Sequence, residues 1–205
     1  NDSVLTTNIN TVTSLVVGGL NIADLTGIED FTTLIHLDCD FNQLTSIDVS
    51  ANINLDSLRC VGNQLASLDV SFNTVLTRLY CASNQLTNLD VSQNTILLFL
   101  HCHDNQLTSL DVSANTALER LWCHDNQLTS LDLRNGNNTN LNQFSVSNNL
   151  NLLCINVDNA AWSTANWTNI DPQHYFSANC SSVVFDCTDS LEVTDVIIDN
   201  TNLTM

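Results

Sequence analysis

From Leu34 onward, apolar and polar positions repeat in one phrase, LxxLxCxxNQLxxLDxxxN, that begins at Leu34, Leu55, Leu76, Leu97 and Leu118 and so recurs every 21 residues. The run CHDNQLTSLD occurs twice without a change, at 102–111 and 123–132. Leu141, Phe144 and Val146 resume the phrase after a two-residue insertion within 131–140. An irregular 22-residue unit precedes it, from Val12 through Leu15, Val17, Leu20, Ile22, Leu25 and Ile28 to Phe31, which makes about seven coils in all. In LxxLxC the period of two marks a short strand whose second Leu and Cys face inward. No unit carries enough apolar surface to fold alone, so the units must stack leucine on leucine into one axial core with covered ends. The strands then run parallel, about 4.8 Å apart, as one face. The QLTSLDVSxN half is too short for a helix, so the stack should curve only gently.

This phrase resembles that of leucine-rich repeat proteins, specifically the short 21-residue kind found in secreted and surface proteins of bacteria, over residues 12 to about 154. The resemblance implies a right-handed solenoid of the α/β horseshoe class, dominated by a gently curved parallel sheet. The following segment, NLLCINVDNAAWSTANWTNIDPQHYFSANC, resembles the C-terminal cap of those proteins and predicts a short helix over 160–167. Residues 1–33 read as an N-terminal cap with the first irregular repeat, 34–150 as the repeats, and 151–205 as the C-terminal cap and the start of a linker. Protein interaction without catalysis, at a secreted or cell-surface location, is what the resemblance implies of function.

Three cysteines, Cys154, Cys180 and Cys187, stand outside the repeated phrase. A secreted chain with an end to seal is the setting in which a disulfide is expected. The residues alone leave Cys180 and Cys187 open as partners of Cys154, with the third thiol free or bonded beyond Met205. The resemblance implies the pair Cys154–Cys180.

Composition narrows the partners. Twenty-two acidic residues face four arginines and no lysine, for a formal net charge of -18. A field of that sign repels nucleic acid and anionic membrane. No apolar run approaches the roughly 18 residues of a membrane span, so no membrane insertion is expected. The chain begins NDSVL, without Met, and reads as a mature or trimmed piece of something longer. It contains no phosphate loop, HExxH, Ser/His/Asp order or paired-Glu arrangement, so neither an enzyme nor a cofactor is expected. Oligomeric state has no signal in the sequence.

Within the phrase, Cys39, Cys60, Cys81, Cys102 and Cys123 take an inward position and read as small core hydrophobes. Asn42, Asn63, Asn84, Asn105 and Asn126 should turn inward and satisfy backbone groups at the corner of each coil. Asp48, Asp69, Asp90, Asp111 and Asp132 read as acceptors for the N–H groups of their own DVS or DLR turns; the competing use of such an oxygen row is calcium. The outward positions differ from the rest of the chain. They collect His36, Asp38, Arg59, Arg78, Tyr80, Phe99, His101, His103, Arg120, Trp122 and His124, which include three of the four arginines and four of the five histidines. Planar rings and guanidinium groups in one exposed cluster are the composition of a binding surface. His101, His103 and His124, with Asp104 or Asp125, could in principle hold zinc, but the spacing does not demand a metal. The expected ligand is a protein on the strand face. The alternative is an extended, possibly anionic polysaccharide, with Tyr80, Phe99 and Trp122 stacking on sugar rings and Arg59, Arg78 and Arg120 pairing with acidic groups.

Overall fold

The computed structural model describes residues 9–180. In chain order it contains β1 (Ser14–Val16), β2 (His36–Asp38), β3 (Ser57–Arg59), β4 (Arg78–Tyr80), β5 (Phe99–His101), β6 (Ser109–Asp111), β7 (Arg120–Trp122), β8 (Ser130–Asp132), β9 (Gln143–Ser145), β10 (Cys154–Asn156), α1 (Ala160–Asn166) and β11 (Tyr175–Ser177). Each strand has three residues because each coil must turn before and after it. Seven strands pair in the order β1-β2-β3-β4-β5-β7-β9, all parallel, and form the strand face. A second parallel sheet, β11-β10-β8-β6, lies on the DVS side of the later coils. The sequence pattern excluded a helix on that side but did not show this sheet.

The register is unslipped through the regular coils. Leu15, Leu37, Leu58, Leu79, Leu100, Leu121 and Phe144 stand on one another. With the first leucine of each phrase they form the spine; Leu34, Leu55, Leu76, Leu97 and Leu118 are wholly buried. Cys39, Cys60, Cys81, Cys102 and Cys123 are buried in the same core and carry free thiols. Burial pushes the thiol of Cys39 up to about 12 and those of the other four well above their ordinary value, so they stay protonated and behave as apolar filling.

Two asparagine ladders stitch the coils together. The amide of Asn84 donates to the carbonyls of Cys60 (2.9 Å), Cys81 (3.1 Å) and Ala82 (3.1 Å), and its Oδ1 accepts from Leu65 N–H at 3.0 Å. Asn63, Asn105, Asn126 and Asn149 repeat the pattern. A second row, Asn52, Asn73, Asn94 and Asn115, donates across coils from the opposite corner, as Asn94 does to Val70 O (3.0 Å) and Asn73 O (2.9 Å). The exposed carboxylates of Asp48, Asp69, Asp90 and Asp111 accept from the N–H two residues on, at 2.8 to 2.9 Å, and Asp132 does so from Arg134 N–H at 3.0 Å. These are the turn contacts expected of them.

The turn leaving the strand face needs a left-handed residue in successive coils: Phe41, Gly62, Ser83, Asp104 and Asp125 all have φ between 53° and 67°. Only the glycine announces this in the sequence. Gly62 is also constrained by contact, since a Cβ there would lie 2.6 Å from the ring of Phe41.

The C-terminal end is closed by an extra turn, so that the solenoid has about eight turns where the phrase count predicts seven. α1 lies between β10 and the segment at Asn169 that pairs with the end of β9, and the repeat phrase is absent from this turn. Asn159 caps the helix through Oδ1, which accepts from Trp162 N–H at 3.0 Å. The helix stops at Asn166, one residue short of the expected 160–167. Trp167 instead turns into the core, where it packs on Phe144 (4.6 Å between centroids) and Phe176 (5.6 Å) and donates to Leu141 O at 3.3 Å. Asp171 accepts from Asn148 and Asn149 N–H, both at 2.9 Å, and buried His174 holds its loop. Cys154 and Cys180 form a disulfide across 26 residues; a loop of that length contributes about 3 kcal/mol by restricting the unfolded chain. Cys187 lies outside the described residues.

Replacing Asn84 by Ala leaves the buried Leu65 N–H without its partner and takes one of two donors from each of the carbonyls of Cys60, Cys81 and Ala82. The midpoint of urea unfolding should fall by an amount equivalent to about 3 kcal/mol. Exposed Gln85→Ala, one residue away, should change stability by less than about 0.5 kcal/mol.

Candidate ligand-binding face

The parallel register carries each outward side chain onto its counterpart one coil along. One row runs His36, Ser57, Arg78, Phe99, Arg120 and Gln143, the next Asp38, Arg59, Tyr80, His101, Trp122 and Ser145. His103 and His124 extend the arrangement just beyond the strands. The residues singled out from the sequence therefore do share one face. His36 is exposed; Asp38, Arg59, Arg78, Tyr80, Phe99, His103, Arg120, Trp122 and His124 are half-buried by one another.

His101 does not meet the expectation of an open imidazole. It is 9% exposed, stacked on Trp122 (centroids 4.0 Å apart, planes 13° from parallel) and met by Tyr80 edge-on at 4.8 Å. The indole is large enough to cover the smaller ring completely. Asp40 and Ala82, which hold the position of His103 and His124 in earlier coils, are buried, Asp40 because it folds under Arg59.

The arginines are not equivalent. Arg59 pairs with Asp38 (3.4 Å) and with Asp40, which also accepts Val61 N–H at 2.7 Å. Burial nevertheless raises the pKa of Asp40. Arg78 donates to Asp56 at 2.8 Å. Arg120 has no carboxylate partner among the described residues, and its guanidinium lies over Phe99 (4.9 Å) and near Trp122 (5.6 Å). The sequence offered three free guanidinium groups, and the fold neutralises two of them. It does so through Asp40 and Asp56, neither of which the sequence pattern linked to an arginine.

The imidazoles of His103 and His124 stack at 4.4 Å with planes 7° apart. Ring nitrogens donate their lone pairs in the ring plane, so two parallel stacked rings do not converge on one ion. His103 Nδ1 instead lies 2.9 Å from Asp104 Oδ2. No group of three or more His, Cys, Asp or Glu among the described residues is arranged to hold a metal.

Comparison with solved structures places this architecture. The functional domain of InlJ from Listeria monocytogenes, described as including a cysteine ladder, is 38% identical over 86% of this chain and 41% of that one, with a TM-score of 0.69. The LRR protein LIC12759 of Leptospira interrogans is 22% identical over 73% of this chain and 44% of that one, at a TM-score of 0.55. The chain has a leucine-rich repeat fold. The plant peptide hormone receptor RGFR1, in complex with RGF2, shares the repeat architecture at 20% identity over 76% of this chain and 29% of its own, at a TM-score of 0.56. The chain spans less than half the length of each of the three. It matches no protein-family model and no curated protein. In this leucine-rich repeat, Cys39, Cys60, Cys81, Cys102 and Cys123 form a column of buried free thiols, one to a coil.

His101 gives the repeat face a pH signature. Burial, then the charge of Arg120 and the neighbouring His103, push its pKa down to about 4 from 6.5. Above pH 6.5 the ring is neutral folded or unfolded. As pH falls from 6.5 toward 4, the unfolded chain takes up a proton that the folded ring refuses, so stability is lost over that window, by up to about 3 kcal/mol. His101→Phe keeps the ring and removes the titration. Its loss of unfolding free energy between pH 7 and pH 4 should be smaller than that of the wild type by about 2 kcal/mol, as read by urea denaturation at each pH.

Proposed function

We propose that this leucine-rich repeat chain is a non-enzymatic recognition module, secreted or displayed at a cell surface, that binds a protein through its strand face. One observation carries the reading: the planar and cationic side chains of adjacent coils stand in register on one open sheet and brace one another, Arg59 on Tyr80, Arg78 and Arg120 on Phe99, His101 on Trp122. Braced aromatic and arginine side chains lose little entropy on contact and are the groups that dominate protein interfaces. The Arg59 guanidinium lies over Tyr80 and those of Arg78 and Arg120 over Phe99, so these rings offer edges and charge to a partner and are poorly disposed to stack on sugars.

Likeness to solved repeat proteins supports the same reading, since one of them, RGFR1, is complexed with RGF2. The Cys154–Cys180 disulfide supports an oxidising compartment. Among the described residues no helix is long and apolar enough to cross a membrane.

The test is capture of protein from the native environment by immobilised wild type, by the double variant Tyr80→Ala with Arg120→Ala, and by Ser109→Ala with Ser130→Ala on the second sheet. The strand-face variant should retain roughly a tenth or less of the captured partner, and the second-sheet variant all of it. Equal capture by all three proteins would refute a strand-face interface.

A further inference from the structure

The outward stack ends abruptly after β7. Phe99 lies under Arg120, His101 under Trp122 and His103 under His124, but the next coil sets only Gln143, Ser145 and Ser147 in these columns. One face of the Trp122 indole is covered by His101 at 4.0 Å. On the other side the strand partner of Trp122 is Ser145, too short to reach across a ring. The result is a step: a shallow depression of about 490 Å³, walled by Trp122 and His124, floored by Phe144, Ser145 and Ser147, and rimmed by Gln143 and Asn169. Two depressions on the DVS side of the coils, of about 380 and 250 Å³, are lined by Ala, Ser, Thr, Asn, Asp and Leu and contain no ring.

We propose that this step is a carbohydrate subsite, in which a neutral pyranose ring stacks on the outer face of Trp122 and its hydroxyl groups hydrogen-bond Gln143, Ser147 and Asn169. This goes beyond the protein-binding reading and rests on different atoms. The C–H face of a sugar suits the negative face of an indole, as the ring quadrupole favours positively polarised hydrogens. The surroundings select a hydroxyl-bearing ring over an aromatic side chain. An apolar ring seated here would strip water from the amides of Gln143 and Asn169 and the hydroxyl of Ser147 without replacing its hydrogen bonds. A pyranose replaces them. The floor is already set, because Asn169 Nδ2 donates to Ser145 Oγ at 2.7 Å. The wall is set as well, since the His101 stack holds the indole in place before a ligand arrives, which lowers the cost of binding. Neutrality follows from charge. Arg120 is not among the lining residues and its guanidinium sits closer to Phe99 (4.9 Å) than to the Trp122 ring (5.6 Å), and the net charge of -18 opposes a polyanion.

The test is a printed array of neutral, sulfated and uronate-containing oligosaccharides, probed with the 205-residue chain and with three variants. Wild type should bind neutral oligosaccharides. Trp122→Ala removes the stacking face and should weaken binding about ten-fold. Ser147→Trp fills the depression while leaving Trp122 in place, and should abolish the signal. Arg78→Ala, on the strand face two coils before Trp122, should bind sugar as wild type does. For wild type, the indole N–H resonance that disappears in Trp122→Ala should shift when the bound sugar is titrated, which reads the site without relying on the folding of a variant. Absence of any bound oligosaccharide, binding confined to the acidic ones, binding undiminished in Trp122→Ala, a signal that survives Ser147→Trp, or an unshifted Trp122 resonance would each overturn the proposal. Loss of sugar binding in Arg78→Ala would overturn it too, because the binding would then belong to the wider face.

Discussion

A stacked coil this short can exist only if the backbone groups at its tight inner corner are satisfied from the next coil, and the asparagine amide does this. Each residue of the Asn63 to Asn126 column reaches the carbonyl of its own coil's cysteine and that of the coil before, while accepting an N–H from the previous coil's leucine. These bonds are buried, where an unmade one costs the most. They also clamp the register. A slip of one residue would carry the amide away from all of its partners at once and turn the leucines outward.

That clamp is why the strand face has the chemistry it has. With register held from coil to coil, an outward residue meets its counterpart in the neighbouring coil, so a column of unlike side chains becomes a chain of contacts: Arg59 on Tyr80, Tyr80 on His101, His101 on Trp122. The same stacking that builds the core builds the surface. It also spends some of that surface, since His101 is covered by its neighbours and Asp40 and Asp56 neutralise two of the arginines.

The cap shows the other way to end such a stack. Once the phrase stops there is no further asparagine to bind, and the corner of the last full coil is satisfied by Asp171, which takes the N–H groups of Asn148 and Asn149. Trp167 and Phe176 cover the open end of the spine. Because the column of large outward residues ends one coil before the cap, the boundary leaves the step beside Trp122.

By itself the sequence determined the repeat, the inward leucines and cysteines, the role of the Asn42 to Asn126 column and the membership of the strand face, because each of these follows from spacing alone. Five copies of one phrase leave little freedom in which residues share a column. Tertiary structure decided what spacing does not carry. The second asparagine row and the second sheet depend on how closely the far corners approach. The eighth turn rests on a cap without the repeat phrase. Which of Arg59, Arg78 and Arg120 keeps an unpaired charge depends on Asp40 and Asp56 in neighbouring coils. Whether an imidazole is open or covered depends on the size of the ring in the next coil. These are contacts between residues about twenty positions apart, and they exist only once the coils are stacked.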